Sequence, residues 1–216
     1  MHMFRQLFAS TAGQKALAAV SGTFMAGWLA LHVLGNFTAF GGAPRMDAYA
    51  AALRRLGPVL WLVRAGLVAA FGVHVAMTLS LAKRARAARP LHDVRRWPRG
   101  SVSSRTALAC GPLLLAFATY HLLHMTFGVV HPHFQSARVY ANLVQGLAAP
   151  AVAVLYALGA ALVGLHLYRG LASALSSLGS GSAARAVPRA VAAAVAVAIA
   201  AGFAVIPVAV MTGALR

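Results

Sequence analysis

The sequence predicts an all-α polytopic membrane protein with five transmembrane helices, the first four forming an up-down bundle in a single membrane domain, residues 1–216. Three observations carry this prediction. The 216 residues are 61% hydrophobic and only 10% charged, too little charge to clothe a soluble domain of this size. Five apolar stretches approach the twenty or so residues that cross a bilayer. Turn-forming clusters separate them. The apolar fraction excludes disorder, and the single cysteine, Cys110, excludes a disulfide scaffold, a cysteine zinc site or an iron–sulfur cluster.

The spans run, in order, over about 16–38, 59–82, 106–129, 150–171 and 190–212. Each is long enough for a hydrocarbon core of ~30 Å at 1.5 Å rise per residue. The first is long, and four more follow it, so it reads as an anchor rather than a cleaved signal. Gly41-Gly42-Ala43-Pro44 closes the first span and Gly57-Pro58 opens the second. A long basic loop, 83–105, containing Trp97-Pro98-Arg99-Gly100, separates the second from the third. The run Gly179–Ser182 precedes the fifth.

Cation placement sets the direction. With the N-terminus inside, the inner segments hold thirteen Lys and Arg: Arg5, Lys15, eight from Lys83 to Arg105, and Arg169, Arg185 and Arg189. The outer segments hold five: Arg45, Arg54, Arg55, Arg138 and Arg216. By the positive-inside rule the N-terminus is cytoplasmic and the C-terminus outside. The formal charge of +17 would suggest nucleic acid in a soluble protein. Here the cations border spanning helices and accompany no nucleic-acid motif, so they read as topology signals in contact with anionic lipid. The 83–105 loop is long enough to dock a soluble partner.

Ionisable residues inside membrane helices are expensive and mark function. The first four spans each carry one well inside: His32, His74, His121 and His166. A lone membrane histidine commonly bonds a neighbouring helix, so the arrangement of all four decides. Helices one and three run outward and place His32 and His121 ~25 Å and ~24 Å from the inner edge. Helices two and four run inward and place His74 and His166 ~12 Å and ~9 Å from it. An outer pair, His32 with His121, therefore stands above an inner pair, His74 with His166. Each pair lies on diagonal, co-directional helices of an up-down bundle. A diagonal of ~12–14 Å follows from neighbouring axes 8–10 Å apart, the gap that a metal held axially by two imidazoles requires. Two bis-histidine haems fit this arrangement; structural zinc does not, because cysteine and carboxylate co-ligands are missing.

Other residues carry weaker signals. Gly27, Gly35, Gly72, Gly128, Gly159 and Gly164 leave room for a flat macrocycle or serve ordinary close helix packing. Arg169, one turn inward of His166, would pair with a propionate or anchor the inner edge. Arg64 has the same two readings, with snorkelling favoured. His124 sits one turn beyond His121, and either serves as ligand by spacing; depth matching to His32 favours His121. His124 then lies at the outer haem edge, within reach of a quinone or propionate. Asn36 and Tyr140 are further quinone candidates. His92, His131 and His133 fall in loops and read as solvated.

These residues resemble the cytochrome b membrane-anchor subunit of succinate dehydrogenases and fumarate reductases, in the five-helix, di-haem class. The matching stretches are Leu31-His32-Val33-Leu34-Gly35-Asn36, Arg64-Ala65-Gly66-Leu67 with His74, Ala88-Arg89-Pro90 and Ser104-Arg105-Thr106. Tyr120-His121-Leu122-Leu123-His124-Met125-Thr126, Gly164-Leu165-His166-Leu167-Tyr168-Arg169-Gly170 and Ser173 through Gly179 follow. The resemblance spans nearly the whole chain in order, though each motif is short. It implies two haem b groups, with His74 and His166 on the iron of the proximal one and His32 and His121 on that of the distal one. It implies a flavoprotein and an iron–sulfur subunit on the cytoplasmic face, and a quinone in a bacterial inner membrane. No dicarboxylate active site is expected on this chain. Many relatives have a second histidine where Arg169 stands. Some fumarate reductases carry a transmembrane glutamate; this chain has none, and its two acids, Asp47 and Asp93, lie in loops. The rival readings are a haem-free anchor or small transporter using the histidines as a proton relay, and a di-haem cytochrome b of another respiratory dehydrogenase.

Overall fold

The computed structural model describes residues 8–88, 102–176 and 186–216, with side chains of 102–109, 176, 186 and 188 excluded. Among them the chain is all-helical and has no strand. Helix α1 (Thr11–Asn36) starts where the Ser10 hydroxyl accepts the Gly13 N–H at 3.0 Å, satisfying one of the donors a helix start leaves open. A 3₁₀ turn (Phe37–Gly41) leads into α2 (Gly42–Arg55). Gly57, at φ +51°, makes the reversal that a side chain would oppose. Pro58 then opens α3 (Pro58–Ala87), at a position where its missing N–H costs nothing.

Helix α4 (Val102–His121) passes into a π turn (Leu122–Thr126), closed by the Phe127 N–H on the Leu122 carbonyl at 2.9 Å. The remaining helices are α5 (Val139–Leu147), α6 (Pro150–Ser176) and α7 (Ala186–Met211). Four helical stretches are long and apolar enough to cross a membrane: Thr11–Arg55, Pro58–Ala87, Pro150–Leu175 and Arg189–Met211. The expected third span, 106–129, is helical from Val102 to His121, but only its part from Cys110 onward has described side chains. The 89–101 part of the basic loop and the Gly179–Ser182 run lie outside the described residues, as does His92.

The spans run a few residues beyond their expected inner ends, because hydropathy stops at the first cations while the backbone hydrogen bonds continue through them. Two further helices, α2 and α5, stand where loops were expected. Both are too short or too polar to span. In α2, Met46, Tyr49 and Leu53 recur at helical spacing, and Met46 is buried, so one face packs while Arg54 and Arg55 stay in the last turn. Asp47 lies within this helix, where the sequence reading had a loop.

Helix α1 packs along α3, α4 along α6, and α6 most extensively along α7. Helices α1 and α6 also meet. The α6–α7 seam is made of small residues: a Cβ on Gly164 would stand 2.7 Å from that of Ala200. Such closeness is how membrane helices associate where lipid removes the hydrophobic drive. At the end holding α2 and α5, Met46, Leu147, Ile206 and Leu215 form a common apolar cluster. Asp47 accepts the Tyr140 N–H at 2.9 Å, and the Tyr140 hydroxyl donates to the Arg216 carbonyl at 3.0 Å. At the opposite end, Arg84 donates to the Ala9 carbonyl at 2.7 Å, tying the foot of α3 to the start of α1.

Candidate functional site

Four imidazoles meet two by two. His32 on α1 and His121 at the end of α4 have ring centroids 6.0 Å apart, with planes at 77°. His74 on α3 and His166 on α6 have centroids 6.1 Å apart, with planes at 69°. Each pair joins the helices expected to be diagonal, and neither α1 and α4 nor α3 and α6 pack along each other among the described residues. All four rings are half-buried.

The two levels stand ~15 Å apart along the helices, in line with the depths counted from the segment ends. Tyr156, whose ring centroid is 5.8 Å from that of His121, precedes His166 by ten residues of α6, ~15 Å of rise. The His74 ring lies against Gly22, ten residues before His32 on α1, again ~15 Å of rise.

The outer pair has an aromatic wall. Trp28 stacks on His32 at 6.5 Å with planes at 7°, and Phe203 of α7 lies 5.6 Å from it. Phe117 and Tyr156 flank His121 at 6.3 and 5.8 Å. Neither Phe203 nor Tyr156 was singled out from the sequence, since an aromatic residue on an apolar helix carries no mark of its neighbours.

At the inner pair, the His74 Nδ1 lies 3.0 Å from the Ala18 carbonyl oxygen. A carbonyl only accepts, so Nδ1 carries the proton and Nε2 holds the lone pair. Histidines that ligate metals commonly donate their other N–H to a carbonyl in this way.

His124 belongs to neither pair. Its ring is 1% exposed, its Nδ1 is 2.9 Å from the Tyr156 hydroxyl, and it stacks between Tyr120 and His131 at 5.3 and 5.0 Å. His131, expected in solvent, is buried. Its Nε2 donates to the Asn142 carbonyl at 2.9 Å, and its Nδ1 accepts the His133 N–H at 3.1 Å. The loop folds back over α5, where Gly146 lets both rings approach; a Cβ there would lie 2.8 Å from the His131 Nε2. His133 is exposed, as expected.

The other candidates fall in varied places. Arg64 is exposed and stacks over Trp61, 4.9 Å from guanidinium to ring, a cation–π contact suited to the interface. It is not brought to either imidazole pair. Arg169 is half-buried one turn from His166, and Asn36 is half-buried at the last residue of α1. Tyr140 spends its polar groups on Asp47 and Arg216. Of the six glycines read as macrocycle clearance, only Gly27 and Gly72 face open space. Gly35 meets Tyr49, Gly159 meets Phe117 and Gly164 meets Ala200, while Gly128 is a turn residue at φ +71°. Helix packing and backbone reversal account for these four.

The donor set fits axial ligation. A metal–imidazole bond of about 2 Å, plus roughly 1 Å from nitrogen to ring centre, puts two axial rings about 6 Å apart. Both pairs match that separation. Among the described residues no group of three or more His, Cys, Asp or Glu converges. No family model matches the chain, and no curated protein or solved structure matches it.

Proposed function

We propose that this chain is the membrane-anchor di-haem cytochrome b subunit of a succinate:quinone oxidoreductase. The observation that carries the reading is the double pairing: His32 with His121 and His74 with His166, each at axial-ligand separation, at two levels of one helical assembly. His74 and His166 would hold the proximal haem b, and His32 and His121 the distal one. Haem supplies reversible one-electron chemistry when bound.

The protein's own residues supply the rest. His32 with His121, and His74 with His166, would each hold one haem iron, suiting it to electron transfer rather than oxygen chemistry. Trp28, Phe117, Tyr156 and Phe203 surround the outer pair with apolar surface and keep water from it. The Ala18 carbonyl orients His74. The electron route runs from the basic N-terminal face, past the inner pair, to the outer pair, and ends on a membrane quinone. An iron–sulfur subunit and a flavoprotein dock on the cytoplasmic face, where succinate and fumarate interconvert; this chain reacts with quinone and holds no dicarboxylate site. Asn36, half-buried at the end of α1 near His32, remains the quinone-facing candidate. The chain sits in the bacterial inner membrane with its N-terminus inside and its C-terminus outside, as the cation asymmetry directs.

The test is a reduced-minus-oxidised spectrum with haem quantification on wild type and on the four single His→Ala variants. The reading expects ~2 haems b per chain and pairwise loss. His32 and His121 variants remove one spectral component, His74 and His166 variants the other. Purified protein lacking a Soret band after haem-supplied expression overturns it. Co-purification with a flavin- and iron–sulfur-containing pair separates succinate chemistry from other respiratory dehydrogenases.

A further inference from the structure

We infer that Gly22 is a positioning residue for His74: by leaving the Ala18 carbonyl bare, it fixes the imidazole as the Nδ1–H tautomer and leaves Nε2 as the ligating nitrogen. The inference deepens the haem reading and rests on it for its redox consequence, but not for the tautomer. Ala18 and Gly22 are one helical turn apart on α1, so in a regular helix the Ala18 carbonyl already accepts the Gly22 N–H. A second donor reaches that oxygen only from the side that the residue at 22 would cover. With glycine there, the His74 ring lies in the vacancy. A Cβ at 22 would stand 3.0 Å from Cε1 and 3.2 Å from Nδ1 of His74. The ring would have to move by a few tenths of an ångström, lengthening a 3.0 Å hydrogen bond.

The arrangement is particular to this imidazole. Among the described residues, His74 alone of the four paired imidazoles makes a hydrogen bond. The Ser21 hydroxyl is a weaker claimant on the same carbonyl, at 3.3 Å, and also donates to the Leu17 carbonyl at 2.6 Å. Donation from Nδ1 to a carbonyl increases electron density at Nε2 and strengthens its bond to oxidised iron. Lengthening that hydrogen bond therefore raises the reduction potential of a haem held there, and shortening it lowers the potential.

Two measurements test this on the full chain. In haem-free protein labelled with ¹⁵N-histidine, the His74 signals, assigned by their loss in His74→Gln, should show the Nδ1–H tautomer. An Nε2–H tautomer overturns the inference whether or not the chain binds haem. In haem-loaded protein, potentiometric titration of Gly22→Ala should raise the potential of the component that His74→Ala removes and leave the other unchanged. Gly66→Ala is the control: it makes the same change at an exposed position on α3, the helix that carries His74, where nothing lies within 4 Å of the added Cβ. Equal shifts in both variants, or none in Gly22→Ala, overturn the inference. Should Gly22→Ala fail to fold, Ser21→Ala removes the competing donor and should lower the potential of the same component; an unchanged potential there counts against the inference equally. Wild type without haem but with the Nδ1–H tautomer would sink the di-haem reading alone.

Discussion

Replacing Tyr156 by Phe removes one hydroxyl and leaves the His124 Nδ1 without its 2.9 Å partner in a site 1% exposed. A buried polar atom deprived of its hydrogen bond costs about 1–3 kcal/mol. For a chain of this length, each kcal/mol moves Tm by ~2–4 °C, so the fall should be ~2–12 °C. His124→Phe should cost a comparable amount, because it strands the Tyr156 hydroxyl and removes a ring stacked on both Tyr120 and His131. In the double variant neither polar atom is left alone, so the two losses should not add; a coupling of ~1–2 kcal/mol is expected between groups in direct contact. The assay is thermal unfolding of purified protein in one detergent at a fixed scan rate, with haem counted in each sample. Tyr156→Phe and His124→Phe should retain both haems, since the His124 ring is committed to this network. Additive losses would refute the hydrogen-bond reasoning. Loss of a haem from His124→Phe, with both retained in His121→Ala, would refute the ligand assignment.

Gly159→Ala should disturb the outer pair: its Cβ would run into the Phe117 ring, and Phe117 lies beside His121. The expected result is a lower Tm by several degrees, from ~1–3 kcal/mol of overpacking, with a changed outer spectral component and an unchanged inner one. Gly164→Leu should separate α6 from α7, read as increased proteolysis of the C-terminal helix in detergent; an unaltered digestion pattern would contradict the close seam. Asp47→Ala should cost ~1 kcal/mol by freeing the Tyr140 N–H, whereas Asp47→Asn, which keeps an acceptor oxygen, should cost less. An impermeant maleimide should label Ser136→Cys from outside intact cells, and labelling only after lysis would reverse the orientation.

The paired histidines were legible because depth follows from counting residues along a helix of known direction, and that count tolerates errors of a few positions. His32 finds His121 and His74 finds His166 even though most span ends moved. The inner ends of the spans were less legible, because hydropathy ends where lysines and arginines begin and the helix does not. Helices α2 and α5 went unread for a related reason: each packs only one narrow face, and Gly42 and Pro44 look like punctuation until the rest of α2 is seen. His131 shows a different limit. In sequence it is a polar residue between turn-formers, and only the fold supplies the Asn142 carbonyl and the His124 ring that bury it. The glycines were the least legible, since clearance, close packing and reversal all select the same residue. Gly22 escaped notice because its partner is fifty-two positions away.

The order in which the chain is synthesised gives the α6–α7 seam a consequence for biogenesis. Phe203, which walls His32, and Gly202, whose missing side chain admits Val33, both belong to a segment that leaves the ribosome after the histidine-bearing helices. Until Ala186–Met211 has inserted, the outer histidine level stays open to lipid on that flank, whereas the α1–α3 contact that seats His74 on Ala18 needs only the first two spans. The seat of His74 thus forms early, and the outer histidine level is sealed only once α7 has followed the other helices.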